Sequence, residues 1–343
     1  MLRARHRPGR GAGHGPGGWL GGARWASTLG PRKVTGTTSG KKGNSVEYGA
    51  YADRAPDAQY RRILGALLED GIPVPTRQGP DALTLMQQTM SFDLANGFPV
   101  ITERSLARFW RKPIGELCAF INGARTLDAL AEFGCDWWGP WASEGKTSRR
   151  GLPPGDLGPG SYGGAFHDFP TAEGPGFDQF KHLVEQLREL PNDRTHFVSP
   201  WIPQYQIRGA GKTPKTTISP CHGWVHVRVL GGKLHLHMFQ RSGDVPVGVP
   251  SNMIQYAALL LMLEHLTGIP AAWYYHTISD AHVYADQVDR VKVMLDREPR
   301  RLPTVTLNED GRRVTDIHAF RPEHFDLADY DPHPAIGSIP VAT

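Results

Sequence analysis

Residues 223–239, GWVHVRVLGGKLHLHMF, constrain the fold more than any other stretch of the chain. Two runs of alternating apolar and polar residues flank Gly231-Gly232, and a glycine pair supplies the positive φ angles of a two-residue hairpin turn. That turn sets the register. Val229 faces Leu234, Val227 faces Leu236 and Val225 faces Met238 on one side, while Arg228 faces His235 and His226 faces His237 on the other. The apolar side requires a second layer to bury it. A cover follows at once in NMIQYAALLLMLEHLTG, which is apolar nearly all round and reads as a buried central helix, with Asn252 placed to cap its start. The His226–His237 pair suggests a metal, but no carboxylate or cysteine completes a ligand set. That side is read as packing against something or facing a partner, and no metal is expected.

The remaining elements alternate without βαβ regularity, so the class is α+β. Residues 57–71 carry Tyr60, Ile63, Leu64, Leu67 and Leu68 at helical spacing, between Asp57 as a cap and Gly71 as a stop. TLMQQTMSFDL reads as strand, and Asn96–Phe98 as a turn. Residues 113–134 read as two helices, the first carrying Glu116 among apolar neighbours. Trp137, Trp138 and Trp141 cluster next, as core or as a platform for a flat conjugated ligand. The Gly/Pro-rich run 143–175 reads as a long loop holding Tyr162. An amphipathic helix (Phe177, Phe180, Leu183, Val184, Leu187), a short strand THFVSPW, a strand AAWYYHTI, a helix opening with His282 and Tyr284, a strand LPTVTL and a loop-like tail complete the chain.

Three cysteines in 343 residues do not make a disulfide framework. This points to a reducing compartment, and a cytoplasmic location is expected. The longest apolar run, 257–263, is too short to span a membrane. Residues 1–46 hold basic residues from Arg3 to Lys42 and no acid, although the whole chain carries only +4. Rich in glycine and poor in branched apolar residues, this segment cannot build a core. It reads as a disordered tail or an over-long start. A transit peptide and a nucleic-acid-binding arm are the other options, the last weakened by scarce aromatics. Residues 47–343 are expected to form a single domain.

Cys221 is the strongest nucleophile candidate, following Pro220 at a loop-to-strand junction with His222 beside it. Arg241 returns to the same end one hairpin later, where a guanidinium would stabilise a thiolate. Arg77, Arg194 and Arg241 sit in loops or at strand ends, suited to binding a phosphate. Asn252 offers a donor and an acceptor on one planar group, which matches a uracil edge. No GxxxxGK[ST] or strand–helix GxGxxG is present, so neither a triphosphate loop nor a dinucleotide fold is indicated. These residues leave three classes open: an enzyme on a phosphorylated planar substrate, a cysteine hydrolase, and a binding module.

The same residues resemble the thymidylate synthase family from about Gln59 to Thr343. The motifs are Pro220-Cys221-His222; Gln240-Arg241-Ser242 with Asp244, Gly248, Pro250 and Asn252; His282-x-Tyr284; Tyr330-Asp331-Pro332-His333-Pro334; and Pro340-Val341-Ala342. Thr76-Arg77, Glu116, Trp138, Trp141 and Gly158-Pro159 with Tyr162 also match. The resemblance implies a mixed sheet covered by helices, with the free sheet face forming a homodimer. It implies that Cys221 adds to C6 of a pyrimidine monophosphate and that C5 takes a one-carbon unit from 5,10-methylenetetrahydrofolate. Glu116 would move protons, with Tyr162, Arg241 and Asp244 completing the catalytic set. Arg77, Arg241 and Ser242 would hold phosphate, with Arg194 donated across the dimer. His222, Gln240, Asn252, His282 and Tyr284 would bind the nucleoside. Trp138, Trp141, Asp244, Gly248 and Ala342 would line the folate site. Departures from the family pattern occur at Thr195, Ile202, Ser251 and Ser279, and in segments 105–115 and 207–217. The expected reaction is methylation of deoxyuridylate. A hydroxymethylase acting on dUMP, dCMP or CMP and a non-catalytic nucleotide-binding homologue are the alternatives.

Overall fold

The computed structural model of the chain describes residues 46–77 and 79–342. All of the basic tail but Val46 therefore lies outside the described residues. In chain order the elements are α1 (Gln59–Asp70), β1 (Ile72–Val74), β2 (Ala82–Asp93), α2 (Arg111–Ile121), α3 (Leu127–Ala131), α4 (Glu144–Ser148), α5 (Tyr162–His167) and α6 (Gln179–Glu189). They continue with β3 (Phe197–Val198), α7 (Pro203–Gln206), β4 (Trp224–Leu230), β5 (Lys233–Asp244), α8 (Gly248–Thr267), β6 (Ala271–Tyr284), α9 (Val288–Leu295), β7 (Thr304–Leu307) and β8 (Phe325–Ala328). Six strands form one mixed sheet in the order β1-β2-β6-β5-β4-β3, and β7 pairs with β8 separately. No helix among the described residues is long and apolar enough to cross a membrane.

The β4–β5 hairpin has the register that Gly231-Gly232 dictates, from Val229↔Leu234 through His226↔His237 to Trp224↔Phe239. Both glycines have positive φ, 59° and 79°. Val225, Val227, Leu234, Leu236 and Met238 are fully buried, and α8 lies over β5 and β6 and against α2 and α6. Because β5 and β6 run parallel, their connection must cross over the sheet, and α8 makes that crossing. The other sheet face carries His226, His237, Trp224, Phe239, Trp273 and Tyr275. Here His226 Nε2 meets the Arg194 carbonyl and His237 Nε2 meets Thr277 Oγ1, so the two imidazoles do not share a ligand position.

Pairing is interrupted at one level across three strands. The β2–β6 register passes from Met86↔Asp280 to Gln88↔Ile278, and the β5–β6 register from Gln240↔Ile278 to Ser242↔Asp280. Gln87, with φ of 58°, drops out of the ladder together with Arg241 and Ser279. Such interruptions bend strands and re-aim side chains, and this one turns Arg241 toward the loop that precedes β4.

Several sequence expectations are corrected. Helix α8 begins at Gly248 rather than after Asn252. Pro250 is tolerated in its first turn because the amide it lacks would have had no helical acceptor. Asn252 is thus an interior, buried helix residue and caps nothing. His282 and Tyr284 stand on β6, where pairing with Thr84 and Ala82 of β2 overrides their local preference. The 143–175 run is not one loop. It contains α4 and α5, and Tyr162 opens α5. Phe177 precedes α6 and is exposed. Gly71 ends α1 with φ of −61°, so its role is close approach: a Cβ there would lie 2.2 Å from the Leu67 carbonyl oxygen. Strand β8 has no counterpart in the sequence reading.

Candidate functional site

A cavity of about 1600 Å³ opens at the end of the sheet where β5 and β6 meet the first turn of α8. Cys221, His222, Gln240, Arg241, Ser242, Asp244, Gly248, Asn252, His282 and Tyr284 line it, together with Glu116, Trp138 and Trp141 from the helical layer. Arg77 contributes from the β1–β2 loop and Ala342 from the C-terminal tail. Tyr162 stands behind this wall. Arg194 is exposed and does not line its own chain's cavity.

Cys221 is half-buried. Its amide donates to Tyr162 Oη at 2.6 Å, which fixes the loop on the packed start of α5. Arg241 Nη2 donates to Cys221 Sγ at 3.3 Å, and Arg241 Nε to the Pro220 carbonyl at 3.1 Å. Burial pushes the thiol up, and the Arg241 guanidinium opposes that without overcoming it. The sequence expectation of a guanidinium beside sulfur holds, with burial the larger of the two opposing influences. His222 stacks on Tyr162 at 4.5 Å and meets Tyr256 Oη at 2.7 Å. Burial lowers its pKa to about 3, so it stays neutral.

Glu116 is buried and held by three donors. Trp137 Nε1 (3.0 Å) and Trp138 Nε1 (2.6 Å) reach Oε1, and Gln255 Nε2 (2.6 Å) reaches Oε2. Burial raises its pKa to about 7, with the indole and amide hydrogen bonds pulling the other way. From Gln255 the contacts run on in one direction. Asn252 Nδ2 donates to Gln255 Oε1, Gln240 Nε2 to Asn252 Oδ1, and His276 Nε2 to Gln240 Oε1. A carboxylate only accepts, so each amide must present its NH₂ toward Glu116. Asn252 retains one N–H and one oxygen lone pair for the cavity.

Ser242 and His282 group around Asp280, a residue the sequence reading passed over. Ser242 Oγ donates to Asp280 Oδ2 at 3.0 Å, and His282 Nδ1 lies 3.4 Å from Oδ1. The His282 hydrogen bond holds the Asp280 carboxyl below its ordinary range. Asp244 accepts from Val247 N (3.2 Å) and Gln287 Nε2 (3.0 Å), and burial raises it to about 6. Gln287 Nε2 also donates to the Pro340 carbonyl at 2.9 Å, which ties the tail to the cavity rim.

Gln255 and Asp280 are site residues that sequence reasoning missed, and Trp137, though placed in the tryptophan cluster, was not read as a partner of Glu116. Signals for the first two were present. Gln255 stands three residues beyond Asn252, on the same helix face. Asp280 stands two before His282, on the same strand face. Reading 282–284 as helix concealed the second.

A cysteine against a guanidinium, a buried carboxylate coupled through amides to an asparagine, and two indole walls share this one cavity. A model of the family described as thymidylate synthase matches residues 58–342, and the chain belongs to that family.

Proposed function

We propose that the protein converts deoxyuridylate to thymidylate, transferring a one-carbon unit from 5,10-methylenetetrahydrofolate to C5. Family membership supports the coarser statement, folate-dependent methyl or hydroxymethyl transfer to C5 of a pyrimidine nucleotide. The carrying observation is the 3.3 Å contact between Cys221 Sγ and Arg241, in a cavity shared with the Asn252–Gln255–Glu116 chain. In this reading Cys221 Sγ bonds to C6 as its proton leaves to solvent, and electron density moves to C5 and O4. Arg241 stabilises the thiolate as it forms. Asn252 gives its remaining N–H to O4 and its lone pair to N3–H. Glu116, as carboxylate, takes up through water the proton lost from C5. Arg77, Arg241 and Ser242 hold the phosphate, and His282 with Tyr284 holds the sugar 3′-hydroxyl.

The folate fits the donors present. Asp244 has lone pairs beyond those used by Val247 and Gln287, and Trp138 and Trp141 supply apolar faces, with centroids 5.6 Å apart. When bound, the folate supplies the methylene carbon and, for methylation, a hydride. The indoles, Gly248 and the tail at Ala342 exclude water from C5, which favours reduction over hydration. We also place a second copy on the free sheet face, where Phe197 and Met86 are 53% and 65% exposed. Arg194 beside that face would reach the second copy's phosphate site.

The test is incubation with deoxyuridylate and methylenetetrahydrofolate. An absorbance rise from dihydrofolate is expected. Tetrahydrofolate with a hydroxymethyl nucleotide would replace this reading with hydroxymethylation. No product from any pyrimidine monophosphate would make the protein a non-catalytic nucleotide binder.

A further inference from the structure

We propose that His167, Asp178 and His318 form a binding site for one divalent transition-metal ion of the zinc class. The three residues come from distant parts of the chain. His167 ends α5, Asp178 caps the N-terminus of α6, and His318 lies in the short turn Ile317–Ala319. None of them lines the nucleotide cavity.

His167 Nδ1 lies 3.3 Å and His318 Nε2 2.8 Å from Asp178 Oδ2, and the three ligand atoms fall within 4.8 Å of one another. A zinc ion bonded at ~2.0–2.1 Å in a tetrahedron separates its ligand atoms by about 3.3 Å. The pocket is therefore already near ligand geometry. A histidinium–aspartate pair would need only one imidazole, aimed along an N–H···O line. Here two rings converge on one oxygen, and both nitrogens are buried without an aligned hydrogen bond. Two ring nitrogens and a carboxylate oxygen within 4.8 Å of one another are a donor set that a zinc-class cation takes.

The surroundings prepare each ligand. His318 Nδ1 lies 2.8 Å from Asp316 Oδ1, so the neutral ring that keeps its proton there presents a lone pair at Nε2. A carboxylate behind a metal-binding histidine fixes ring orientation and raises its basicity. Asp178 Oδ1 accepts from Lys181 N at 3.0 Å, which orients the carboxylate and leaves Oδ2 for the ion. His167 is partly exposed, which gives the ion a way in. Three protein ligands leave a fourth position for water or another donor. A bound ion would join α5, α6 and the 317–319 turn, and so brace from its far end the helix that opens with Tyr162.

The test uses the full chain, stripped by chelator, dialysed, and titrated with Co²⁺ as a spectroscopic stand-in for Zn²⁺. One Co²⁺ per chain with visible ligand-field bands is expected, displaced by Zn²⁺, and Zn²⁺ is expected to raise Tm by preferential binding to the folded state. His167→Gln and His318→Gln should each weaken binding by at least ~100-fold. Asp316→Asn, an exposed change that leaves the ligands in place, should weaken it by about 10–100-fold. Circular dichroism of each metal-free variant establishes that it is folded. Unchanged stoichiometry and bands in the His167→Gln/His318→Gln double variant would overturn the proposal. So would the absence of binding to the unaltered chain at Co²⁺ on the order of 1 mM, far weaker than a structural zinc site.

Discussion

Replacing Gln255 with leucine isolates the link between the buried carboxylate and the base-facing asparagine. Gln255 Nε2 is the donor to Glu116 Oε2, at 2.6 Å. A hydrogen bond to an ionised group contributes about 1.5–3 kcal/mol. It favours the carboxylate over the acid, and each pKa unit corresponds to about 1.4 kcal/mol. Its loss should raise Glu116 from about 7 by roughly one to two units. Where the ionised form is required, kcat/KM rises with pH through the Glu116 pKa. The variant should then lose about 5–50-fold at neutral pH and recover in alkali. The assay is dihydrofolate formation followed across pH at subsaturating deoxyuridylate. Asn252 Nδ2 also loses its acceptor, so a stability loss of about 1–3 kcal/mol is expected alongside. The profile separates the two effects: a merely less stable enzyme loses amplitude and keeps its midpoint. A Gln255→Leu profile with the parental midpoint would refute the coupling.

Cys221→Ser should lower turnover by more than ~10³-fold, the scale on which loss of a nucleophile is felt. Equilibrium dialysis should still detect nucleotide binding, since the phosphate-side residues are intact. Asn252→Asp reverses one donor of the base-facing pair. The ratio of kcat/KM for deoxyuridylate over deoxycytidylate should fall by about 10–100-fold, as expected for a mismatched buried hydrogen bond. Gly71→Ala places a methyl 2.2 Å from the Leu67 carbonyl oxygen and 2.9 Å from Leu83 Cβ. Urea denaturation should register a loss of about 1–3 kcal/mol.

What was legible in the sequence had a local cause. The hairpin register follows from two glycines and strict alternation, and every pair from Val229↔Leu234 to Val225↔Met238 is in place. The all-apolar run 257–263 could only be interior. What was not legible depends on tertiary context. The six-residue helix α5 is too short to display a helical period, and packing supports it rather than propensity. Residues 279–284 read locally as a helix start but are claimed by two neighbouring strands. The site followed the same division. Cys221, Arg241 and Asn252 stand in one continuous stretch. The donors that tune Glu116 come from α8 and from the tryptophan cluster, and only folding brings them together.

Gln287 commits both hydrogens of a single amide nitrogen, one to Asp244 and one to the carbonyl of Pro340. The high proton affinity of Asp244 is a product of burial. Lifting the C-terminal residues would admit water and return that carboxyl toward its ordinary range. Linkage then requires the reverse: seating the tail draws protons onto Asp244. The seated form is favoured fully below the open-form pKa and loses that advantage as pH rises through about 6. On that linkage the residues around Pro340 would act as a proton-linked latch, whose grip can be followed by titration without any substrate present.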